Sequence, residues 1–460
     1  MAVQSYDDVI TSKGFLSDLK ALNTVIAQSL TDAGLPVIMN GNVCYSDKDE
    51  DFNKGTLSSL MEPKRKALVA MAQRSRCFVE VGIAGGHAVL LALHANPDLK
   101  AIGIDLAVQA KPSWPRVDIF VPAATEWLLK RFPDRFRFVK QDAIDGLREV
   151  ASAPVFGPVD MIHLDGGKLN RMEELAAIWP ALAERGYLMQ GDYKNGNVRA
   201  STRAMIEYGL AREVPEEDLP PMRHRTFKVV EIGPSVLAQS VRLQDFRGKR
   251  VLLCTAHQDD ELLFAGGLLS KIARKAQVHV TCFFRPMKGR ADSDTRIAAM
   301  QRLCADVGVS CTQYPFAVEA PYRRLRRYIV QDDTDGAAPV SLLRPLESHG
   351  LYPTLLETAI STLRLYEPDI VITHNPVGEY GHLEHIFLHR TMMEAARRAN
   401  ITTLLTFGAG QEHRAGLSVT YDTRRKKRLF KHYKPQGDGL KMYDFALDPE
   451  RFVREPLFPT

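Results

Sequence analysis

The chain has 460 residues, 45% of them hydrophobic, and 60 Lys and Arg against 55 Asp and Glu give a formal net charge of +5. That length exceeds what one hydrophobic core usually serves, so two domains are expected, with the composition of a soluble globular protein. The sequence has no internal repeat, low-complexity tract or run near the ~20 apolar residues of a membrane span; its start, Met1 to Asp8, lacks the basic-then-apolar order of a signal peptide, and six scattered cysteines without C-x-x-C fit buried thiols in a reducing cytoplasm.

Residues 1–62 read as a partly helical extension, for example Phe15 to Leu30. Packing, a lid over a neighbouring site, or pairing in a homo-oligomer are its open roles. A first domain is expected over residues 63–235. Its opening segment, C-F-V-E-V-G-I-A-G-G-H-A-V from Cys77 to Val89, reads as a buried strand, a Gly-rich turn and the start of a helix. Glycines let a backbone pass close to a ligand, and a helix N-terminus offers unsatisfied N–H groups. The next strand-like run, Lys100 to Ile104, ends in Asp105, where a carboxylate can bind ribose hydroxyls. Further runs follow: Arg137 to Lys140 leads to Asp142, Val159 to Leu164 to Asp165, Gly186 to Gln190 to Asp192, and Thr226 to Ile232 is the last. Helix-like segments such as Arg171 to Arg185 lie between them, the βαβ alternation of a doubly wound sheet.

Over about Glu62 to Gly233 this pattern resembles the class I S-adenosylmethionine-dependent methyltransferases. The resemblance implies that Glu80, Gly82 and Gly86 cradle the methionine part of the cofactor, that Asp105 holds its ribose and that Asp142 lies near its adenine amine. Some small-molecule O-methyltransferases bind magnesium through D-G-D and D-D motifs after the fourth and fifth strands. Here Asp165-Gly166-Gly167 and Gly191-Asp192 keep one acid of each pair, a weak site for a cation that wants several oxygen ligands. Asp165 remains a candidate base. The alternatives are that both acids are helix caps or cofactor contacts, and that the domain binds cofactor without turnover.

The boundary is expected near Gly233 to Gly248, with a second domain over 248–460. After the apolar run Val251 to Cys254 comes A-H-Q-D-D-E, Ala256 to Glu261, and after Ile370 to Thr373 comes Y-G-H-L-E-H, Tyr380 to His385. Both clusters end strand-like runs and open helix-like ones. In an open α/β sheet ligands bind outside the carboxyl ends of the strands, so the two are expected to converge. A catalytic zinc takes three ligands from His, Asp or Glu and leaves a position for water, whose proton a nearby carboxylate removes. Adjacent aspartates divide that labour, one on the metal and one on the water, and Asp259 and Asp260 fit. Taken singly, the acidic run also reads as the first turn of a helix, and His389 shows how easily unrelated His pairs arise.

From Lys249 to Gly439 the chain resembles the PIG-L/LmbE-like zinc deacetylases, whose first motif is A-H-P-D-D-E and whose second is a Gly-His followed by a further His. The resemblance implies zinc ligands His257, Asp260 and His385 and a general base, Asp259. It implies that His382 polarises the amide carbonyl or protonates the amine, that Tyr380 supports the oxyanion, and that Arg296 contacts substrate. Gln258 replaces the family's proline, and Ala299 stands where a glutamate is common after the Arg. The basic clusters Arg323 to Arg327 and Arg424 to Arg428 are read as solvated helix faces rather than nucleic-acid sites.

The expectation is therefore an α/β chain of two doubly wound Rossmann-like domains in tandem. Its function is read as zinc-dependent N-deacetylation of an amino-sugar-like small molecule together with methyl transfer from S-adenosylmethionine. The alternatives are a monofunctional deacetylase with a cofactor-binding scaffold, and a nucleic-acid-directed methyltransferase fused to an amidohydrolase.

Overall fold

The computed structural model describes residues 4–37, 42–45, 56–109, 115–215, 220–285, 293–316, 329–331, 340–342, 348–409, 416–433 and 450–458. The chain divides into two compact units, Met1–Val236 and Leu237–Thr460. Among the described residues no helix is long and apolar enough to cross a membrane.

The first unit opens with helices α1 (Tyr6–Thr11), α2 (Lys13–Asp32) and α3 (Glu62–Ala72). Strands and helices then alternate: β1 (Cys77–Val81), α4 (His87–Ala95), β2 (Lys100–Ile104), α5 (Val117–Arg131), β3 (Phe136–Val139), α6 (Ala143–Ser152), β4 (Val159–Leu164), α7 (Arg171–Ile178), β5 (Leu182–Gly191) and α8 (Gly196–Glu207). Strands β6 (Ala211–Glu213), β7 (Arg223–His224) and β8 (Phe227–Ile232) and helix α9 (Pro234–Ala238) follow. The sheet order is β3-β2-β1-β4-β5-β8-β6, with β7 also on β8. β1 to β5 pair in parallel, and β8 joins antiparallel. The strand order reverses between β1 and β4, which places a crevice outside their carboxyl ends.

On α2, Phe15, Leu19, Leu22, Ile26 and Leu30 recur at helical spacing and are buried in one core with Phe78, Leu90 and Leu128. Helix α2 of the extension thus packs into the first unit. The helical pattern read from Arg171 to Arg185 is corrected: α7 ends at Ile178, a 3-10 turn covers Trp179–Ala181, and β5 begins at Leu182. Pro180 is the cause, because it lacks an N–H and its ring clashes one turn back.

The second unit contains β9 (Arg250–Thr255), α10 (Asp260–Leu263), α11 (Gly266–Ile272), β10 (Gln277–Phe284), α12 (Ser293–Val307), β11 (Ser310–Phe316), β12 (Ile329–Gln331), β13 (Val340–Leu342) and α13 (Tyr352–Tyr366). It continues with β14 (Ile370–Thr373), α14 (Gly378–Gly381), α15 (Leu383–Arg398), β15 (Leu404–Phe407), β16 (Leu417–Val419), α16 (Thr423–Leu429) and β17 (Glu450–Arg454). The main sheet runs β11-β10-β9-β14-β15-β17-β16, and β12 and β13 form a separate pair. β9, β10, β11, β14 and β15 are parallel, and β17 turns antiparallel. The reversal lies between β9 and β14, the strands that precede the two His-rich motifs.

Of the basic clusters, Arg323 to Arg327 lies outside the described residues. Within Arg424 to Arg428 the solvated reading is corrected at Lys426, whose side chain is 1% exposed. Its Nζ donates to Glu450 Oε1 at 2.6 Å and to the Leu263 carbonyl at 2.9 Å. Glu450 also accepts the N–H groups of Gly267 and Leu268, both at 2.7 Å. This buried pair ties α16 and β17 to the start of α11.

Candidate active site

β9 is buried from Val251 onward, and its exit fixes the first motif. The Ala256 N–H donates to His374 Nε2 at 2.9 Å. Gln258, which replaces the proline of the motif it resembles, is fully buried and donates from Nε2 to the Phe284 carbonyl at 3.0 Å, so β10 anchors the turn. Ala299, in the place of the family's glutamate, is core. Asp259 has φ of 116°, the left-handed region that side chains disfavour. It is held there from two directions: its N–H donates to Glu261 Oε2 at 3.0 Å, and its Oδ2 accepts from Arg296 Nη2 at 2.7 Å. Glu261 is itself fully buried and accepts the hydroxyl of Tyr433. Burial raises the Glu261 carboxyl, against the lowering effect of Tyr433, to about 8.

The exit of β14 supplies the opposite wall. Glu379 Oε2 accepts from His374 Nδ1 at 2.8 Å and from His385 Nδ1 at 2.6 Å, while its Oε1 accepts the Asn375 N–H at 2.9 Å. One carboxylate thereby orients both rings and leaves their Nε2 atoms without a proton. His374 Nε2 already accepts from Ala256, so His374 braces the motif. His385 Nε2 faces the interior. On His257, Nε2 hydrogen-bonds the Glu384 carboxylate, which turns Nδ1 to the inner side.

Three atoms of metal-ligating type therefore converge. His257 Nδ1 lies 3.2 Å from His385 Nε2 and 3.6 Å from Asp260 Oδ2, and His385 Nε2 lies 3.5 Å from Asp260 Oδ2. Ligands ~2.0–2.1 Å from a tetrahedral zinc sit roughly 3.3–3.4 Å apart, so the residues fit that ion. His257, His382 and His385 form one group whose donor atoms all lie within 4.8 Å, and Asp260, His374 and His385 form another. His382 stacks on His385 with ring centroids 4.5 Å apart and meets His257 at 4.7 Å, on the rim of the cage.

The electrostatics are those of a cation site. Burial lowers the His257 imidazole, but the Asp260 and Glu384 carboxylates outweigh it and raise the ring to about 10. Asp260 is raised by burial and brought well below the usual carboxylate range by His385 and His374. His382 is driven down to about 2, first by burial and then by His385 and His257, and is neutral. Arg296 reaches the cage through Asp259, and the Tyr380 side chain lies outside the described residues. His389 is no part of the cage, for its Nδ1 hydrogen-bonds the His374 carbonyl at 2.9 Å. The orienting residues His374, Glu379 and Glu384 and the anchors Glu261 and Tyr433 were not read from sequence as parts of the site. His374 directly follows β14, Glu261 closes the first motif and Glu384 stands beside His385, whereas Glu379 and Tyr433 carry no local signal.

In the first unit a cavity of about 270 Å³ is lined by Glu80, Gly82 and Asp165, with Lys64, His87 and Asp192. Glu80 Oε1 pairs with His163 Nδ1 at 2.8 Å, and Lys64 Nζ with Asp165 Oδ2 at 2.8 Å. Burial raises Asp165, but Lys64 and His163 bring it down to about 2. Gly82 has φ of 80°, and a Cβ there would fall 2.7 Å from the Gly166 nitrogen, so glycine is required where the β1 and β4 loops touch. Gly86 caps α4 with φ of 74°. The other expected cofactor acids are engaged with backbone: Asp105 accepts the N–H groups of Ala84 at 3.2 Å and Ala107 at 2.8 Å, and Asp142 caps α6 through Ile144 and Asp145. Gly86, Asp105 and Asp142 are not among the residues lining this cavity.

Residues 252–396 match the family model described as PIG-L: GlcNAc-PI de-N-acetylase. The chain is 28% identical over 229 residues to the 1D-myo-inositol 2-acetamido-2-deoxy-alpha-D-glucopyranoside deacetylase of Segniliparus rotundus, covering 44% of this chain and 69% of that one. It is 29% identical over 168 residues to the protein of the same name from Rhodococcus opacus, covering 33% of this chain and 54% of that one. Most of these curated relatives are spanned over about half their length. Among solved structures, the zinc inhibited form of teicoplanin deacetylase Orf2 is 16% identical with a TM-score of 0.34, over 47% of this chain and 99% of that one. The O-methyltransferase TomG from Streptomyces achromogenes is 15% identical with a TM-score of 0.31, over 46% of this chain and 89% of that one. Likenesses at those TM-scores carry no argument about activity. Residues 252–396 are thus the stretch matched as a PIG-L domain, and they contain every donor atom of the cage.

Proposed function

We propose that the second unit is a zinc-dependent de-N-acetylase of an N-acetylated amino sugar, with a compound of the kind named in its curated relatives as the first candidate. The observation that carries this reading is the convergence of His257 Nδ1, Asp260 Oδ2 and His385 Nε2 at 3.2–3.6 Å. A zinc ion held by these residues supplies Lewis-acid polarisation of the amide carbonyl and a lowered water pKa.

The chain's own groups do the rest. Asp259 takes a proton from the water that attacks the amide carbon, and Arg296 at 2.7 Å holds that carboxylate in place. His382, half-buried and neutral, donates an N–H to the developing oxyanion, and Tyr380 is assigned as a second donor. The carbon–oxygen bond forms, the carbon–nitrogen bond breaks, and the proton taken by Asp259 leaves on the amine with acetate as co-product. The test is mass spectrometry of free, nucleotide-linked and glycosidic N-acetyl amino sugars incubated with zinc-loaded protein. Loss of acetyl that tracks zinc content is expected; a zinc-loaded chain inert across the panel overturns the reading.

A second reading concerns residues 63–235, as a S-adenosylmethionine site with methyl transfer to a small molecule. It is favoured by the cavity lined by Glu80, Gly82 and Asp165 at the carboxyl ends of β1 and β4. Calorimetry with S-adenosylhomocysteine tests it, and absence of binding leaves a monofunctional deacetylase.

A further inference from the structure

Lys64 is brought by α3 to the floor of the first unit's cavity and is 3% exposed. Among the described residues its one hydrogen-bond partner is Asp165, at 2.8 Å. The neighbouring strand end repeats the arrangement, with Lys168 Nζ 2.9 Å from Asp192 Oδ2. Both acids that follow β4 and β5 therefore carry a lysine counter-ion. Space for a further carboxylate is also filled, since a Cβ on Gly191 would fall 1.8 Å from Asp165 Oδ1. A hard divalent cation wants roughly six or more oxygens, and here it would have to displace two ammonium groups to reach two carboxylates. An ammonium group has three N–H donors and no acceptor. With one given to Asp165, two remain to Lys64 for a ligand in the cavity it lines.

We propose that Lys64 stands in for a divalent cation: the cavity receives an acceptor molecule by a hydroxyl or carboxylate oxygen on the Lys64 ammonium, without magnesium. The acceptor half of this rests on the reading of residues 63–235 as a S-adenosylmethionine site; the exclusion of the cation does not.

The experiment uses the full chain carrying His385→Ala, which removes the second unit's cage, titrated with Mn2+ and followed by electron paramagnetic resonance. The isotherm is expected to be unchanged by adding Asp165→Asn. One equivalent of Mn2+ that disappears with Asp165→Asn overturns the proposal. In parallel, the unmodified chain is incubated with tritium-labelled S-adenosylmethionine and a panel of phenols, sugars and carboxylic acids. Methylated product is expected to persist in EDTA and to fall roughly 10- to 100-fold in Lys64→Met, as for a lost charge-assisted hydrogen bond, with S-adenosylhomocysteine affinity retained. A product formed only with Mg2+ overturns the proposal. Absence of S-adenosylhomocysteine binding removes the cofactor reading and the acceptor half with it, and the Mn2+ titration still decides whether Lys64 excludes the cation.

Discussion

Tyr433 donates its hydroxyl to the buried carboxylate of Glu261, and Glu261 accepts in turn the N–H of Asp259. A residue far along the chain thereby holds the turn on which the proposed base stands. Tyr433→Phe leaves one buried acceptor without its donor, which costs about 1–3 kcal/mol. The expected outcome is an earlier urea transition of the second unit and slower deacetylation at full zinc occupancy. Unchanged stability and rate would remove Tyr433 from this role.

Asp259 and His257 are adjacent to the same cage yet predict different losses. Asp259→Asn is expected to keep zinc while deacetylation falls by roughly 10²–10⁴-fold, the usual worth of a positioned base. His257→Ala is expected to lose zinc as well. Metal analysis beside a product assay separates them, and a His257→Ala protein with full zinc would sink the ligand assignment.

Glu379 binds both His374 and His385 through one oxygen. Partners of this kind set ligand orientation, and their loss typically costs 10–100-fold in metal affinity. Glu379→Gln should therefore weaken zinc binding by about that factor in competition with a chelator, with circular dichroism unchanged.

The ion pair of Lys426 and Glu450 is buried on both sides, with side chains 1% and 3% exposed. Lys426→Met leaves the buried Glu450 with two backbone N–H donors but no counter-ion, and removing one partner of such a pair costs about 3–5 kcal/mol. A urea transition of the second unit at an unchanged midpoint would contradict this.

His87 gives a pH dependence to the first unit. Burial pushes its imidazole down to about 4 from an ordinary 6.5. Between those values the unfolded chain binds a proton that the folded one refuses. The contribution is thus complete above about pH 6.5 and is lost as pH falls through 4, by ~3 kcal/mol in all. The stability gap between the unmodified chain and His87→Gln should shrink by about that amount from pH 7 to pH 4. A gap independent of pH would show that His87 does not carry the effect.

The two motifs that converge on the candidate site are legible in the sequence because each is local: a buried strand, then a few polar residues at its exit. The strands β2, β4 and β14 are legible for the same reason, as short apolar runs ended by an acid or a polar turn. What orients the site is not local. The bond from Ala256 to His374 and the contact of Tyr433 with Glu261 join segments that only the folded sheet brings together, so no spacing announces them. Lys426 misleads for a related reason. Four basic neighbours make it look solvated, and the burial of one of the five depends on where β17 places Glu450.

The backbone of Asp259, at φ of 116°, is a choice against stability. A side chain in that region costs on the order of 1–3 kcal/mol, and glycine would adopt it freely. Folding alone would favour Gly at 259, so the carboxylate is retained at the expense of the turn that bears it. On the proposed role of Asp259 as the base, this position is where thermal robustness and turnover pull apart.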